Sequence, residues 1–206
     1  MIKICTPLHG GAMIKICTPL HRGATVPGVV EKLLNSDIKC FHKQLSGSLL
    51  FDIRNRLVNN GVSDENPPVI PDDWDYVLMV DSDIIAEKSH VEQLLHRDCD
   101  VVGAAYQMRG VDRVYTAGIF GEDLSTKFYV GFDKIGLTRV SWIGMGLTLI
   151  KRKVFENSEF PWFRHEFVTI GNRKNQTAED VGFCMNAGKH GFKIFLDCDC
   201  VVEHLI

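Results

Sequence analysis

The sequence contains no run of about 18 apolar residues, the length a helix needs to cross a bilayer, so no transmembrane segment is predicted. Its opening, MIKICTPLHGG, lacks the long apolar stretch of a secretory leader. An excess of positive charge is missing too. Lys and Arg total 23 against 26 Asp and Glu, and the formal net charge of -3 leaves no electrostatic footprint for nucleic acid. Cysteine is present seven times, but the count is odd and most of the residues sit inside apolar runs. Reduced, buried thiols and a cytoplasmic location are therefore expected. Cys198 and Cys200 form a C-x-C with no second cysteine pair, which excludes a zinc knuckle.

What is present is ordinary for a globular chain: 206 residues, 45% hydrophobic and 24% charged, enough for one domain with a sizeable core. The start is repeated. MIKICTPLHGGA (Met1 to Ala12) is followed at once by MIKICTPLHRGA (Met13 to Ala24), and the copies differ only at Gly10 and Arg22. Two short units do not make a solenoid. Only the second copy can lead directly into the next helix. Residues 1–12 are thus expected to lie outside the core, as a frayed or edge-pairing segment, and residues 13–206 to form a single domain.

From Met13 strands and helices alternate. Ile14 to Thr18, Ile38 to Leu45, Asp75 to Val80 and Asp100 to Tyr106 read as strands. Helices are expected after Thr25, which can cap Val29 to Leu34, from Ser48 to Asn60 with Gly61 as stop, and from Ser89 to Arg97. Between them runs the polar loop SDENPPVIPDD. Val114 to Phe120, Lys127 to Phe132 and Thr138 to Ile150 then follow as strands without helices between them. Asn157 to Gln176 reads as a long loop able to close as a lid, Thr177 to Lys189 as a helix ended by Gly191. Phe192 to Leu196 and Cys200 to His204 finish as two strands. The fold class is α/β: an open, mostly parallel sheet with an added antiparallel β region.

The most informative stretch is DYVLMVDSDII, Asp75 to Ile85, where an apolar strand ends in two carboxylates, Asp81 and Asp83. Ligands of open α/β sheets bind beyond the carboxyl ends of the strands. Strand periodicity would send both side chains to one face, where they repel unless a cation or donor lies between them. Oxygen ligands suit Mg2+ or Mn2+, which keep positions open for phosphate. The pair reads as a metal–diphosphate clamp; the plainer alternative is helix capping and solvation.

Other features accompany it. Arg54 and Asn55 stand on the helix before the acidic strand, as a buttress for the acidic loop, as nucleotide contacts, or simply as exposed groups. Gly144 and Gly146 precede an apolar strand and permit close backbone approach to a ligand, or form a bulge. Glu179 and Asp180 open a helix, where the dipole favours negative charge and where a general base can also sit. Trp142 and Trp162 offer faces for a sugar ring or belong to the core. His204 closes the last strand as a structural residue or a metal ligand.

In this order the pieces resemble the GT-A glycosyltransferases, the nucleotide-diphospho-sugar transferases, and family 2 among them, from about Ile14 to His204. The resemblance implies that Asp81-Ser82-Asp83 binds Mn2+ or Mg2+ and the donor diphosphate, with His204 completing the metal shell. It matches Ile53-Arg54-Asn55 to the family's A-R-N-like helix end and Thr18-Pro19 to its first-strand turn. It places Gly144-Met145-Gly146 and Trp142 beside the donor sugar, Asp180 as base and Glu179 as an orienting group. A UDP- or GDP-sugar donor and a carbohydrate or other hydroxyl acceptor follow. Neither Thr18-Pro19-Leu20-His21-Arg22 nor Lys43-Gln44-Leu45-Ser46 carries the carboxylate with which relatives grip the base, so uridine and guanosine both stay open. Two rivals remain. A sugar-phosphate nucleotidyltransferase would want a richer Gly-basic loop than HRGATVPG, and a non-catalytic nucleotide-sugar-binding module would have less need of Asp180. A HAD-type phosphatase would want its D-x-D on the first strand, where no acid stands.

Overall fold

The computed structural model describes residues 11–20, 24–61, 68, 70, 73–121, 127–170 and 172–205. The first copy of the repeat therefore lies outside the described residues up to position 10, as do His21, Arg22 and most of the Pro-rich loop.

In chain order the elements are β1 (Ile14–Leu20), α1 (Gly28–Leu34), β2 (Cys40–Ser46), α2 (Leu50–Val58), β3 (Tyr76–Val80), β4 (Ile84–Ile85), α3 (Lys88–His96), β5 (Val101–Ala105), β6 (Val114–Phe120), β7 (Lys127–Gly131), β8 (Leu137–Val140), β9 (Trp142–Ile143), β10 (Leu147–Lys151), α4 (Arg152–Asn157), β11 (Phe167–Ile170), β12 (Arg173–Gln176), α5 (Glu179–Lys189), β13 (Ile194–Val201) and β14 (Glu203–His204). The main sheet has the order β2-β1-β3-β10-β5-β13-β8. β2, β1, β3, β5 and β13 share one direction, while β10 and β8 run against them. β7-β6-β9 forms a separate antiparallel sheet, and β11-β12 and β14-β4 are two-stranded pairs. The expected mixed α/β class, a largely parallel core with antiparallel additions, is what the chain adopts.

β1, β3 and β5 are buried at every position, because helices cover both faces of the sheet. Their side chains divide by period two. Leu78 and Val80 face Val29, Val30 and Leu33 of α1 and Val91 and Leu94 of α3. Val77 and Met79 face Ile53 and Leu57 of α2 with Phe155 of α4 and Phe183 of α5. β2 and β3 pair with opposite edges of β1, so the strand order reverses there and a crevice opens at the carboxyl ends of β1 and β3.

Several local expectations are corrected. Thr25 caps nothing; α1 starts at Gly28, behind Pro27 at φ -58°, and no side chain bonds its N-terminus. Thr138 to Ile150 is three strands. Ser141 leaves the ladder to accept the Phe120 amide (2.9 Å), and Gly144 to Gly146 interrupts the rest. Asn157 to Gln176 is no simple loop, since Trp162 and Phe163 are buried and β11-β12 is a hairpin. Phe192 to His204 contains one long strand, β13, that continues through Asp197. That carboxylate is wholly buried, and Arg97 holds it with two bonds of 2.8 Å while Gln93 adds one of 3.0 Å. The six cysteines among the described residues are free thiols. No helix among those residues is long and apolar enough to cross a membrane.

Candidate active site

β3 ends at Val80, and the chain turns at once: the Ile84 amide donates to the Asp81 carbonyl at 3.2 Å. Strand periodicity therefore does not extend to the acidic doublet. Asp81 and Asp83 face different partners instead of sharing a face.

Asp81 turns inward to Arg54, which α2 carries as a buried side chain. Arg54 Nη2 donates to both Asp81 oxygens (2.9 and 3.1 Å), and its Nε reaches Glu179 Oε1 at 3.4 Å. Burial opposes the guanidinium charge, but Asp81, Glu179 and Asp180 outweigh it and hold Arg54 more firmly protonated than usual. α2, β3 and α5 are thus joined at one point. Asn55 serves the scaffold beside it: buried, it donates its amide N–H to the Phe163 carbonyl (2.7 Å) and accepts the Phe163 N–H at its oxygen (3.0 Å). Thr18 and Pro19 are buried near the carboxyl end of β1, the Thr18 hydroxyl 3.0 Å from His42 Nε2.

Asp83 turns outward. β14 pairs antiparallel with β4, which sets His204 opposite Ile84, and the Leu205 amide donates to the Asp83 carbonyl (2.8 Å). His204 Nε2 stands 3.3 Å from Asp83 Oδ2, and its Nδ1 stands 3.2 Å from the Gln107 carbonyl. The carbonyl can only accept, so it selects a protonated Nδ1. In the neutral ring Nε2 then presents a lone pair to a carboxylate oxygen, and only a proton or a cation between them makes that approach favourable. Cis ligands on an octahedral ion with bonds of about 2.1 Å lie about 3.0 Å apart, so the two atoms suit one divalent cation. Arg109 Nη2 also reaches Asp83 Oδ2 (3.2 Å) and the Leu205 carbonyl (3.2 Å). Among the described residues no group of three or more His, Cys, Asp or Glu side chains lies close enough together to hold a metal. The expected trio of Asp81, Asp83 and His204 is thus present as a pair, with Asp81 committed to Arg54.

Gly144 and Gly146 are accounted for by Tyr106. β10 runs against β3 and β5, so its start lies between their carboxyl ends, where Tyr106 follows β5. The Gly146 amide donates to the Tyr106 hydroxyl oxygen (3.0 Å), and the Gly146 carbonyl accepts the Asp81 amide (2.9 Å). A Cβ on Gly146 would sit 2.7 Å from Tyr106 Cζ and 2.9 Å from Ile84 Cδ1. Tyr106 in turn meets the His204 ring edge-on, with centroids 5.3 Å apart. Gly146→Ala should therefore cost about 1–3 kcal/mol by overpacking. Urea denaturation measures this, and an unchanged midpoint would contradict the packing role.

Asp180 follows Glu179 at the start of α5. Burial pushes its carboxyl up to about 6, the Glu179 charge adds to the rise, and the bond from the Val181 amide (2.7 Å) opposes it. A carboxylate so tuned can take a proton near neutral pH. Trp142 is buried near Asp180, whereas Trp162 belongs to the core, donating to the Phe155 carbonyl (2.8 Å) and packed edge-on against Phe155 and Phe160. Ser82 occupies the turn between the two carboxylates. Arg109 and Tyr106 escaped the sequence reading, because both reach the site only through the order of strands in the sheet.

No protein-family model matches the sequence, and no curated protein matches it. Solved structures do. A197 from STIV superposes with a TM-score of 0.56 at 18% identity, over 89% of this chain and 81% of that one. GalNAc-T7, crystallised with UDP, GalNAc and Mn2+, superposes with a TM-score of 0.54 at 12% identity, over 95% of this chain and 44% of that one. At such identities the likeness is one of fold. The architecture is GT-A-like, and no particular family, family 2 included, is marked out.

Proposed function

We propose that the chain is a metal-dependent glycosyltransferase that moves a sugar from a nucleotide diphosphate donor to a hydroxyl acceptor. The observation that carries this reading is the Asp83–His204 pair, a carboxylate oxygen and an imidazole nitrogen 3.3 Å apart at the carboxyl edge of a GT-A-like sheet. The fold shared with GalNAc-T7, whose crystals hold UDP, GalNAc and Mn2+, supports it.

Asp83 and His204 would hold Mn2+ or Mg2+, which when bound offsets the charge that develops on the departing diphosphate. Gln107 fixes the His204 tautomer. Thr18, Pro19 and Ser82 would border the nucleotide at the switch point of the sheet. Arg54 holds Asp81 and Glu179 in place, which keeps the turn carrying Asp83 in register with α5. Asp180 takes the proton from the acceptor hydroxyl as that oxygen attacks the anomeric carbon. The bond from that carbon to the diphosphate oxygen breaks, and its electron pair leaves with the diphosphate. Glu179, fixed on Arg54, borders the reacting groups as an orienting acceptor.

Calorimetric titration of UDP and GDP with and without Mn2+ tests the clamp. Asp83→Ala should lose at least the roughly 10–100-fold in metal-dependent affinity that even an outer-shell partner supplies. Equal nucleotide affinity with and without Mn2+ in the unaltered protein would overturn the proposal.

A further inference from the structure

Between the β7-β6-β9 sheet and the start of α5 lies a cleft of about 480 Å³, lined by Lys127, Tyr129, Trp142, Thr116, Gln176 and Asp180 among others. Two buried polar atoms of its lining residues have no partner. Trp142 is only 2% exposed, yet its Nε1–H makes no hydrogen bond, and neither does the buried Thr116 hydroxyl. A buried polar group left unpaired is costly, so two of them on residues that line one cleft point to a group that belongs there. The walls are aromatic. Tyr129 meets Trp142 edge-on at 5.8 Å, and Lys127 Nζ lies 4.4 Å from the Trp142 ring centre and 4.8 Å from that of Tyr129. No carboxylate among the described residues forms an ion pair with Lys127. Its ammonium rests on ring faces, which offset part of the hydration it loses but none of its charge.

We propose that this cleft is the acceptor subsite and that the acceptor presents an anionic sugar unit, bearing a carboxylate or a phosphate, with the anion on Lys127. This rests on the transfer reading, because Asp180 lines the same cleft. Asp180 also sets the direction of binding. Its charge repels an anion, so the anionic substituent lies at the Lys127 end and the attacking hydroxyl at the Asp180 end. The Lys127 side chain covers the Trp142 ring. As it moves to meet the anion, it frees that ring face for the apolar contact that sugars favour, and the unpaired Trp142 Nε1–H and Thr116 hydroxyl are the partners offered to the ring hydroxyls of the sugar.

The test is tryptophan fluorescence and saturation-transfer NMR on the full chain. The probes are methyl β-glucuronide, glucose 6-phosphate and methyl β-glucoside, each alone and with Mn2+ plus UDP or GDP. One of the two anionic sugars should bind about tenfold tighter than the neutral glucoside, and which of them does so identifies the anion. Lys127→Met, on a strand edge with no bond to break, should erase that preference, and Lys127→Arg should retain it. Equal binding of charged and neutral sugars, binding of none under any condition, or a preference that survives Lys127→Met would each overturn the proposal. Nucleotide calorimetry separates the two readings. Metal-dependent nucleotide binding without an anionic preference removes the acceptor proposal alone, whereas its absence removes the transfer reading itself.

Discussion

Asp180→Asn should bind donor as the unaltered chain does and lose transfer by about 10²–10⁴-fold, the range that a positioned general base supplies. The pH dependence makes the expectation specific. With its carboxyl at about 6 in the folded chain, kcat/KM should fall with unit slope below that pH, as Asp180 takes up the proton it needs to lack. In Asp180→Asn that limb should vanish along with the rate. Stability should move the other way. The folded value lies above the ordinary carboxylate value of 3.8, so the folded chain keeps a proton that the unfolded chain releases between about 4 and 6. Stability from this group is therefore full below about 4 and lost as pH rises through 6. The amide carries no charge to bury, so Asp180→Asn should melt higher than the unaltered chain at pH 7.5, with the gap closing towards pH 4. A variant that keeps full activity, or a native pH profile flat through 6, would remove Asp180 as base.

The main sheet was legible because helices cover both its faces. Tyr76 to Val80 is an uninterrupted apolar run, and Ile14 to Cys17 is broken only by Lys15, whose buried ammonium donates to the Val58 carbonyl; such runs announce strands buried on two sides. The reading failed where a charge is buried. Asp197 looked like the end of a strand, since nothing local tells that Arg97 and Gln93, about a hundred residues earlier, neutralise it. The doublet shows the same limit. Asp81 and Asp83 stood out as candidates by composition and position, but which way each faces depends on Arg54 and His204, and neither neighbours them in sequence. Asn55 and Trp162 carried apparent signals that the fold spends on Phe163 and Phe155. Gly144 and Gly146 were read as room for a ligand or as a bulge; what the fold brings against both is the Tyr106 ring, which follows β5 and lies far from them in sequence.

Arg54 carries the second large effect, because it is the buried cation to which Asp81 and Glu179 are tied and beside which Asp180 sits. Arg54→Met removes that charge and leaves its neighbours' carboxylates facing one another. Breaking a buried ion pair from one side costs about 3–5 kcal/mol, most of it the penalty of the uncompensated partners. Urea denaturation should show a loss of that size, and Arg54→Lys should restore little of it, since a point charge cannot bond both Asp81 oxygens while reaching Glu179. The fate of the carboxylates separates a charge effect from a packing effect. Arg54→Met combined with Asp81→Asn and Glu179→Gln should recover much of the lost stability, because the charges that needed Arg54 are then gone. If the triple variant were no more stable than Arg54→Met alone, the arginine would be acting through its volume. A second readout is independent of stability. Arg54 holds the Asp180 carboxyl down, so its removal should move the acid limb of nucleotide-dependent transfer above 6, and an unmoved limb would mean that α2 and α5 are not electrostatically joined across the crevice.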